Sequence, residues 1–289
     1  HHQEQQHARQ QRRDQIRRAR AQRRADQHGE RHAEHGGAGA GGVFAGGELS
    51  AAAKALDKAS GGTLAAIVAR GDLDDKAGST LTLHAISGLA SPRVLLVSLG
   101  KPEELSDKSF RSAVAAAGKQ LSGLAAEDAA VFLADADVPG RDLPWRIAQA
   151  TQILADSTYR CDDLKSKKDE SKKGVRKIAF ITKSKPSEAL DAAVRRGEAI
   201  AEGMALAKTL GNLPGNVCTP GYLATTAKKL AKEHKVKVEV LERDDMERLG
   251  MGSLLSVARG SHEPPKLIVL NYKGGKAKDK PVVLVGKGV

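Results

Sequence analysis

Two rhythms of apolar positions alternate along most of the chain. Thr80-Leu-Thr-Leu-His-Ala-Ile86 alternates apolar and polar residues, the pattern of a half-buried strand. Arg93-Val-Leu-Leu-Val-Ser-Leu-Gly100 is continuously apolar in its middle and predicts a strand covered on both faces. Residues 129–134 and 176–182 repeat that pattern. Between these runs, apolar residues recur at helical spacing. Ser50 is placed to cap a helix over 51–59 that Gly61 and Gly62 end, and further helices are predicted over 109–121 and 143–157.

A long helix is predicted over 187–210, with Leu190, Val194, Ile200, Met204 and Leu206 on its apolar side. Gly211 to Pro220 breaks it; Thr219 is a good N-cap and Pro220 a good first residue for the next helix. Then come an alternating strand over 237–241, a helix that Asp244 could cap, a strand over 266–272 and a last apolar run, Val282 to Val285, predicted as a buried strand. Gly286-Lys287-Gly288 follows it. In open α/β sheets ligands bind beyond the carboxyl ends of strands, so Lys287 stands where chemistry is expected.

Strands alternating with helices predict an α/β protein: a three-layer N-terminal domain with a mixed sheet over 43–185, a connecting helix over 186–210, and the opening part of a second α/β domain over 211–289. Residues 1–42 break the pattern. They are rich in His, Gln, Arg and Ala, and Ile16 is their one large aliphatic residue. They predict a disordered basic tail, its histidines including His28, His32 and His35, followed by a flexible linker from Gly36 to Gly42.

Composition narrows the classes. Aromatic residues make up 3% of the chain, too few for a binding surface built on base stacking. The formal net charge of +12 permits an anionic partner, yet no nucleic-acid motif accompanies it, and solvated lysines with the arginine-rich tail account for it. The lysine-rich stretch over 165–173 reads as an exposed turn. Cys161 and Cys218 stand far apart, in no metal-ligand spacing, as ordinary thiols of a reducing compartment do. No apolar run approaches the about 20 residues of a membrane span, and no secretory pattern opens the chain, so a cytoplasmic protein without membrane attachment is expected.

Motif chemistry is sparse. There is no Gly-x-Ser-x-Gly elbow, no His-Glu-x-x-His, and no dinucleotide-binding glycine pattern between strand and helix. The terminal Gly-Lys-Gly is not a Walker loop, because Pro281 and Gly288 stand where glycine and a hydroxyl residue are required. His84 lies within a predicted strand with no metal-spaced partner and reads as a packed or edge histidine. Asp244 and Asp245 read as capping and surface carboxylates.

Four blocks nevertheless resemble the catalytic domain of the leucyl (cytosol) aminopeptidase family. They are Leu210-Gly-Asn-Leu-Pro-Gly-Asn-Val-Cys-Thr-Pro220, Leu249-Gly-Met-Gly-Ser-Leu-Leu-Ser-Val-Ala-Arg-Gly-Ser261, Pro264-Pro-Lys-Leu-Ile-Val-Leu-Asn-Tyr272 and Val285-Gly-Lys-Gly-Val289, in the family's order. Glu48-Leu-Ser-Ala-Ala-Ala-Lys-Ala-Leu-Asp57 and the strand over 93–100 resemble its N-terminal domain. The resemblance implies a hydrolase that releases N-terminal residues, often leucine, from peptides with two divalent metal ions, manganese or zinc or magnesium. It implies that Lys287 is a metal ligand and that the full-length protein is a homo-hexamer. A lysine ligates only as the neutral amine, which a nearby dication can produce by displacing the proton.

The same resemblance marks what these residues lack. The family's aspartate ligand and catalytic lysine, and its Asn-Thr-Asp-Ala-Glu-Gly-Arg segment with further carboxylates and an arginine, do not occur here. No catalytic residue is therefore assigned in this chain, the substrate-binding residues are left open, and the chain given is expected to be inactive alone. The alternative is a regulatory or DNA-binding module that uses the basic surface.

Overall fold

The computed structural model describes residues 37–162, 164–167, 174–276 and 278–288. The expectation for the tail over 1–36 lies outside them, as does most of the lysine-rich stretch; its described residues, 165–167, are exposed. The chain divides into two compact units between Ala205 and Leu206.

The first unit is an α/β/α sandwich. Its strands are β1 (Ala38–Phe44), β2 (Thr80–His84), β3 (Arg93–Gly100), β4 (Asp128–Val131) and β5 (Lys177–Phe180), ordered β2-β3-β1-β4-β5. β1 runs parallel to β3 and β4, β4 runs parallel to β5, and only the edge strand β2 is antiparallel. His84 ends that edge strand and is exposed, as an edge histidine should be.

The glycine-rich segment expected to be a linker is instead the central strand. Ala38, Ala40 and Val43 are all within 1% of complete burial. Composition misleads here because a strand between two helical layers can be made of small residues when its neighbours supply the bulk. Even-numbered positions face one core, where Ala38 and Ala40 meet Leu95, Val97, Leu99 and Val131. Odd-numbered positions face the other, where Val43 meets Val94, Leu96 and Phe132. Gly37 just before the strand is pressed even closer: a Cβ there would lie 1.9 Å from the Asp128 carbonyl oxygen.

Helices α1 (Ala51–Ala59) and α2 (Thr63–Val68) cover the odd-side core with Ala53, Leu56, Leu64 and Val68. The sequence pattern misses α2, which is short and begins after Gly62 in a left-handed conformation. Helices α3 (Asp107–Leu121) and α4 (Leu143–Asp156) cover the other side with Phe110, Ala113, Val114, Ala150 and Leu154. The caps are local: Ser50 accepts from the Ala53 N–H, and Asp142 from the Trp145 N–H at 2.8 Å.

Helix α5 (Glu188–Asn212) spans the predicted connecting helix, and the division between the units falls inside it. Gly197 lets α5 approach α4, since a Cβ there would lie 2.5 Å from the Ala148 carbonyl oxygen. The second unit contains α6 (Pro220–Glu233), β6 (Val236–Leu241), α7 (Arg243–Arg248), α8 (Gly252–Ala258) and β7 (Leu267–Tyr272). β6 and β7 form a two-stranded antiparallel sheet with Val238 opposite Leu270. Among the described residues no helix is long and apolar enough to cross a membrane.

Candidate metal centre

Lys287 is reached through the second unit, whose local order comes from caps and one buried anchor. The Thr219 hydroxyl accepts from the Tyr222 N–H at 3.2 Å and starts α6, with Pro220 at its first position. Val236, Val238 and Val240 alternate along β6 as the sequence pattern predicts. Met246 of α7 is completely buried.

The acidic pair beside it is structural. The cap of α7 is Glu242 rather than Asp244, and the Asp245 carboxylate accepts from the Glu242 N–H at 2.9 Å. Asp245 also holds Arg248, and the Glu242 carboxylate pairs with Lys266. Glutamate is an uncommon N-cap, which is why the sequence favoured the shorter Asp244. Asp244 lies in the first turn, where its charge favours the positive end of the helix.

After β7 the chain makes a lysine-bearing turn and reaches residues 281–288, which hold no regular secondary structure. The expected strand over 282–285 is therefore not formed. Val282, Val283, Leu284 and Val285 are 73% to 93% exposed. A strand needs an edge that takes its N–H and C=O groups, and among the described residues these positions have none. Lys287 is exposed, with no hydrogen bond or ion pair among the described residues.

No group of three or more His, Cys, Asp or Glu side chains among the described residues could hold a metal ion. A single amine nitrogen does not fit a centre for two dications, which needs carboxylates to offset charge. The donor set among the described residues does not make such a centre. Cys161 and Cys218 are free and half-buried.

The first unit has its own crevice at the carboxyl ends of β1 and β3, a cavity of about 410 Å³ lined by Phe44, Gly46, Gly47, Leu73, Asp75 and Ser98 among others. Its polar groups are engaged with one another. The Asp75 carboxylate accepts from the Gly46 N–H at 2.9 Å, and the Ser98 hydroxyl donates to the Asp75 carbonyl at 2.9 Å. These bonds fix the loop after β1 and leave no nucleophile beside a base.

Charge is also organised at the start of α3. Arg141 grips Asp107 with Nε 2.9 Å from Oδ1 and 3.0 Å from Oδ2. The hydrogen bond from Arg141 holds the Asp107 carboxyl below its usual range and raises the guanidinium in turn. Arg141 also stacks over Trp145 at 4.7 Å, with Arg111 at 5.6 Å from the same ring. This is a surface clasp between the α3 start and the loop before α4.

Comparison with known proteins places both units. Residues 42–168 match the cytosol aminopeptidase family, N-terminal domain, and residues 205–289 match the catalytic domain of the same family. A probable cytosol aminopeptidase of Aromatoleum aromaticum is 60% identical over 251 residues, covering 86% of this chain and 50% of that protein. One from Dechloromonas aromatica is 51% identical over 249 residues with the same coverage. The chain thus spans about half the length of the curated relatives it matches. Among solved structures, the bottromycin maturation enzyme BotP in complex with Mn is 25% identical with a TM-score of 0.64, over 82% of this chain and 45% of that one. A tomato leucine aminopeptidase mutant shares the fold at a TM-score of 0.69 and 23% identity, over 84% of this chain and 49% of that one.

Proposed function

Because this chain belongs to the cytosol aminopeptidase family, we propose that it carries the N-terminal domain and the opening of the catalytic domain of a metal-dependent aminopeptidase. The substrate class is peptides with a free N-terminus, and the product is the released N-terminal amino acid, leucine among those preferred. The observation that carries this reading is the 60% identity to a probable cytosol aminopeptidase across both units.

Lys287 is the position in this chain proposed as a metal ligand, on the strength of its Val-Gly-Lys-Gly-Val setting. Two divalent ions supply Lewis-acid chemistry and an activated water in this reading. Manganese is supported by the Mn complex of BotP, and zinc and magnesium are the other candidates. The remaining carboxylate ligands, the catalytic lysine and the arginine have no matching positions in this sequence. The proposal therefore includes that these residues alone do not hydrolyse peptides. The cytoplasm and a homo-hexamer of the full-length protein complete the proposal.

The test compares two proteins with manganese and leucine p-nitroanilide. The 289-residue chain should show no turnover, whereas the same chain continued by the second half of the Aromatoleum relative should be active. Lys287→Ala in the longer protein should remove the activity. Turnover by the 289-residue chain alone, or full activity of the longer Lys287→Ala protein, would overturn the proposal.

A further inference from the structure

In open α/β sheets, ligands bind beyond the carboxyl ends of the strands, where neighbouring strands send the chain to opposite faces. Such a fork lies in the first unit. β1 and β3 are adjacent and parallel. The chain leaving β1 enters α1 over the odd-side core, and the chain leaving β3 enters α3 over the other. The cavity of about 410 Å³ opens at this fork, and its volume is that of a small-molecule site. All its walls come from residues 43–98, inside the stretch that matches the family's N-terminal domain.

The crevice is amphipathic from floor to mouth. Val43, Val68 and Leu73 are buried and give it an apolar floor. Asp74 and Asp75 are exposed at its mouth, and among the described residues no Lys, Arg or His lines it. One oxygen of each carboxylate is held by the backbone: Asp75 Oδ1 accepts from the Gly46 N–H, and Asp74 Oδ1 from the Lys76 N–H at 2.7 Å. The second oxygens have no partner among the described residues. Gly46 and Gly71 bring no side chain to the mouth, where a Cβ at either would meet nothing within 4 Å. The ligand that matches is a primary ammonium on an aliphatic body, with no anion beside the ammonium.

We propose that this crevice binds the N-terminal residue of a peptide, with its ammonium at Asp74 and Asp75 and an aliphatic side chain on the floor. The site binds and does no chemistry, since it holds no nucleophile beside a base. It takes a peptide and refuses the free amino acid, whose carboxylate would lie beside two others with no cationic side chain to receive it. An amide at the same position carries no charge. The ammonium and aliphatic chemistry stands on the crevice itself; the peptide as its source rests on the functional reading above.

The experiment titrates the 289-residue chain with leucinamide, without added metal, and follows backbone amide signals by NMR. Saturable shifts are expected at Gly46, Gly47, Gly71 and Asp75. N-acetyl-leucinamide lacks the ammonium, glycinamide lacks the aliphatic side chain, and leucine adds a carboxylate; each should bind at least about 10-fold more weakly. Asp74→Asn combined with Asp75→Asn removes the charge but keeps both backbone acceptors, and should weaken leucinamide about 10-fold or more. Ala69→Trp, on the exposed rim, should block the crevice with no change in thermal midpoint, and it tests the site even if the double variant does not fold. No saturable shift at these amides, equal binding of the acetylated compound or of leucine, or unchanged binding in a folded variant would overturn the site. Peptidase activity of the longer protein is scored separately. Leucinamide binding without that activity upholds the crevice and refutes the functional reading; activity without binding does the reverse.

Discussion

Gly42 of β1 stands so close to Leu99 of β3 that a Cβ on the glycine would lie 2.7 Å from Leu99 Cδ1 and 3.4 Å from Leu133 Cδ2. Both leucines are completely buried, so neither can swing aside into solvent. Gly42→Val should destabilise the first unit by about 1–3 kcal/mol through overpacking. Leu99→Ala should cost about 2–5 kcal/mol by opening a cavity at the same place. The double variant should cost less than the sum, because each change occupies the space the other disturbs. Urea unfolding of the four proteins checks this, and strict additivity would contradict the packing account.

The Asp107–Arg141 clasp makes a pH prediction. The folded-state pKa of Asp107 is lowered by its hydrogen bond from Arg141. A group shifted this way stabilises the fold above its unfolded pKa, about 3.9 for an aspartate. That contribution fades as pH falls through the lower folded-state value. Asp107→Asn should therefore lower the thermal midpoint slightly at neutral pH, and the difference from the parent should close under strong acid. The gap should also narrow in high salt, since the clasp is exposed. A gap that widens on acidification would be the wrong sign.

Helix α6 depends on one hydroxyl at its start. Thr219→Ala removes the acceptor for the Tyr222 N–H and should destabilise the helix by about 0.5–2 kcal/mol. Amide exchange over 220–233 should quicken, while exchange in β1 and β3 stays unchanged. Thr219→Ser, which keeps the hydroxyl, should restore most of the protection. Equal exchange in all three proteins would remove the cap from the account.

Proteolysis should separate the units by their backbone order. Residues 273–288 are exposed throughout their described length and hold no helix or strand. Among the described residues, brief trypsin treatment should cut first after Lys273, Lys276 or Lys278, whereas the sheet of the first unit resists. Mass spectrometry of the early fragments decides it. First cuts within 93–131 would place the weakest region elsewhere.

The layered α/β architecture was legible because β3, α3 and α4 have strong periodicity and are covered by it: Leu95, Val97 and Leu99 face one core, Val94 and Leu96 the other. Two elements escaped the same reading for opposite reasons. β1 has almost no hydrophobic signal of its own, because its small residues accommodate the bulk of Leu99 and Phe132. Val282 to Val285 has a strong strand signal but no neighbour among the described residues, and a strand is a property of a pair. The proposed role of Lys287 rests on its sequence setting alone, because among the described residues no group of His, Cys, Asp or Glu gathers there to hold a metal ion. The Glu242 cap was hidden by residue preference, which ranks the adjacent aspartate higher.

The burial of β1 bears on where this protein can be shortened. By composition, a cut after Gly42 looks like a trim of a linker, and one before Gly37 looks almost the same. Physically they are different operations. The later cut takes away Ala38 to Gly42, leaving β3 and β4 with bare edges facing each other across the middle of the sheet and both cores open along that gap. The glycines that look most dispensable in this sequence are thus the keystone of its first unit, and the indivisible part of the fold begins with them.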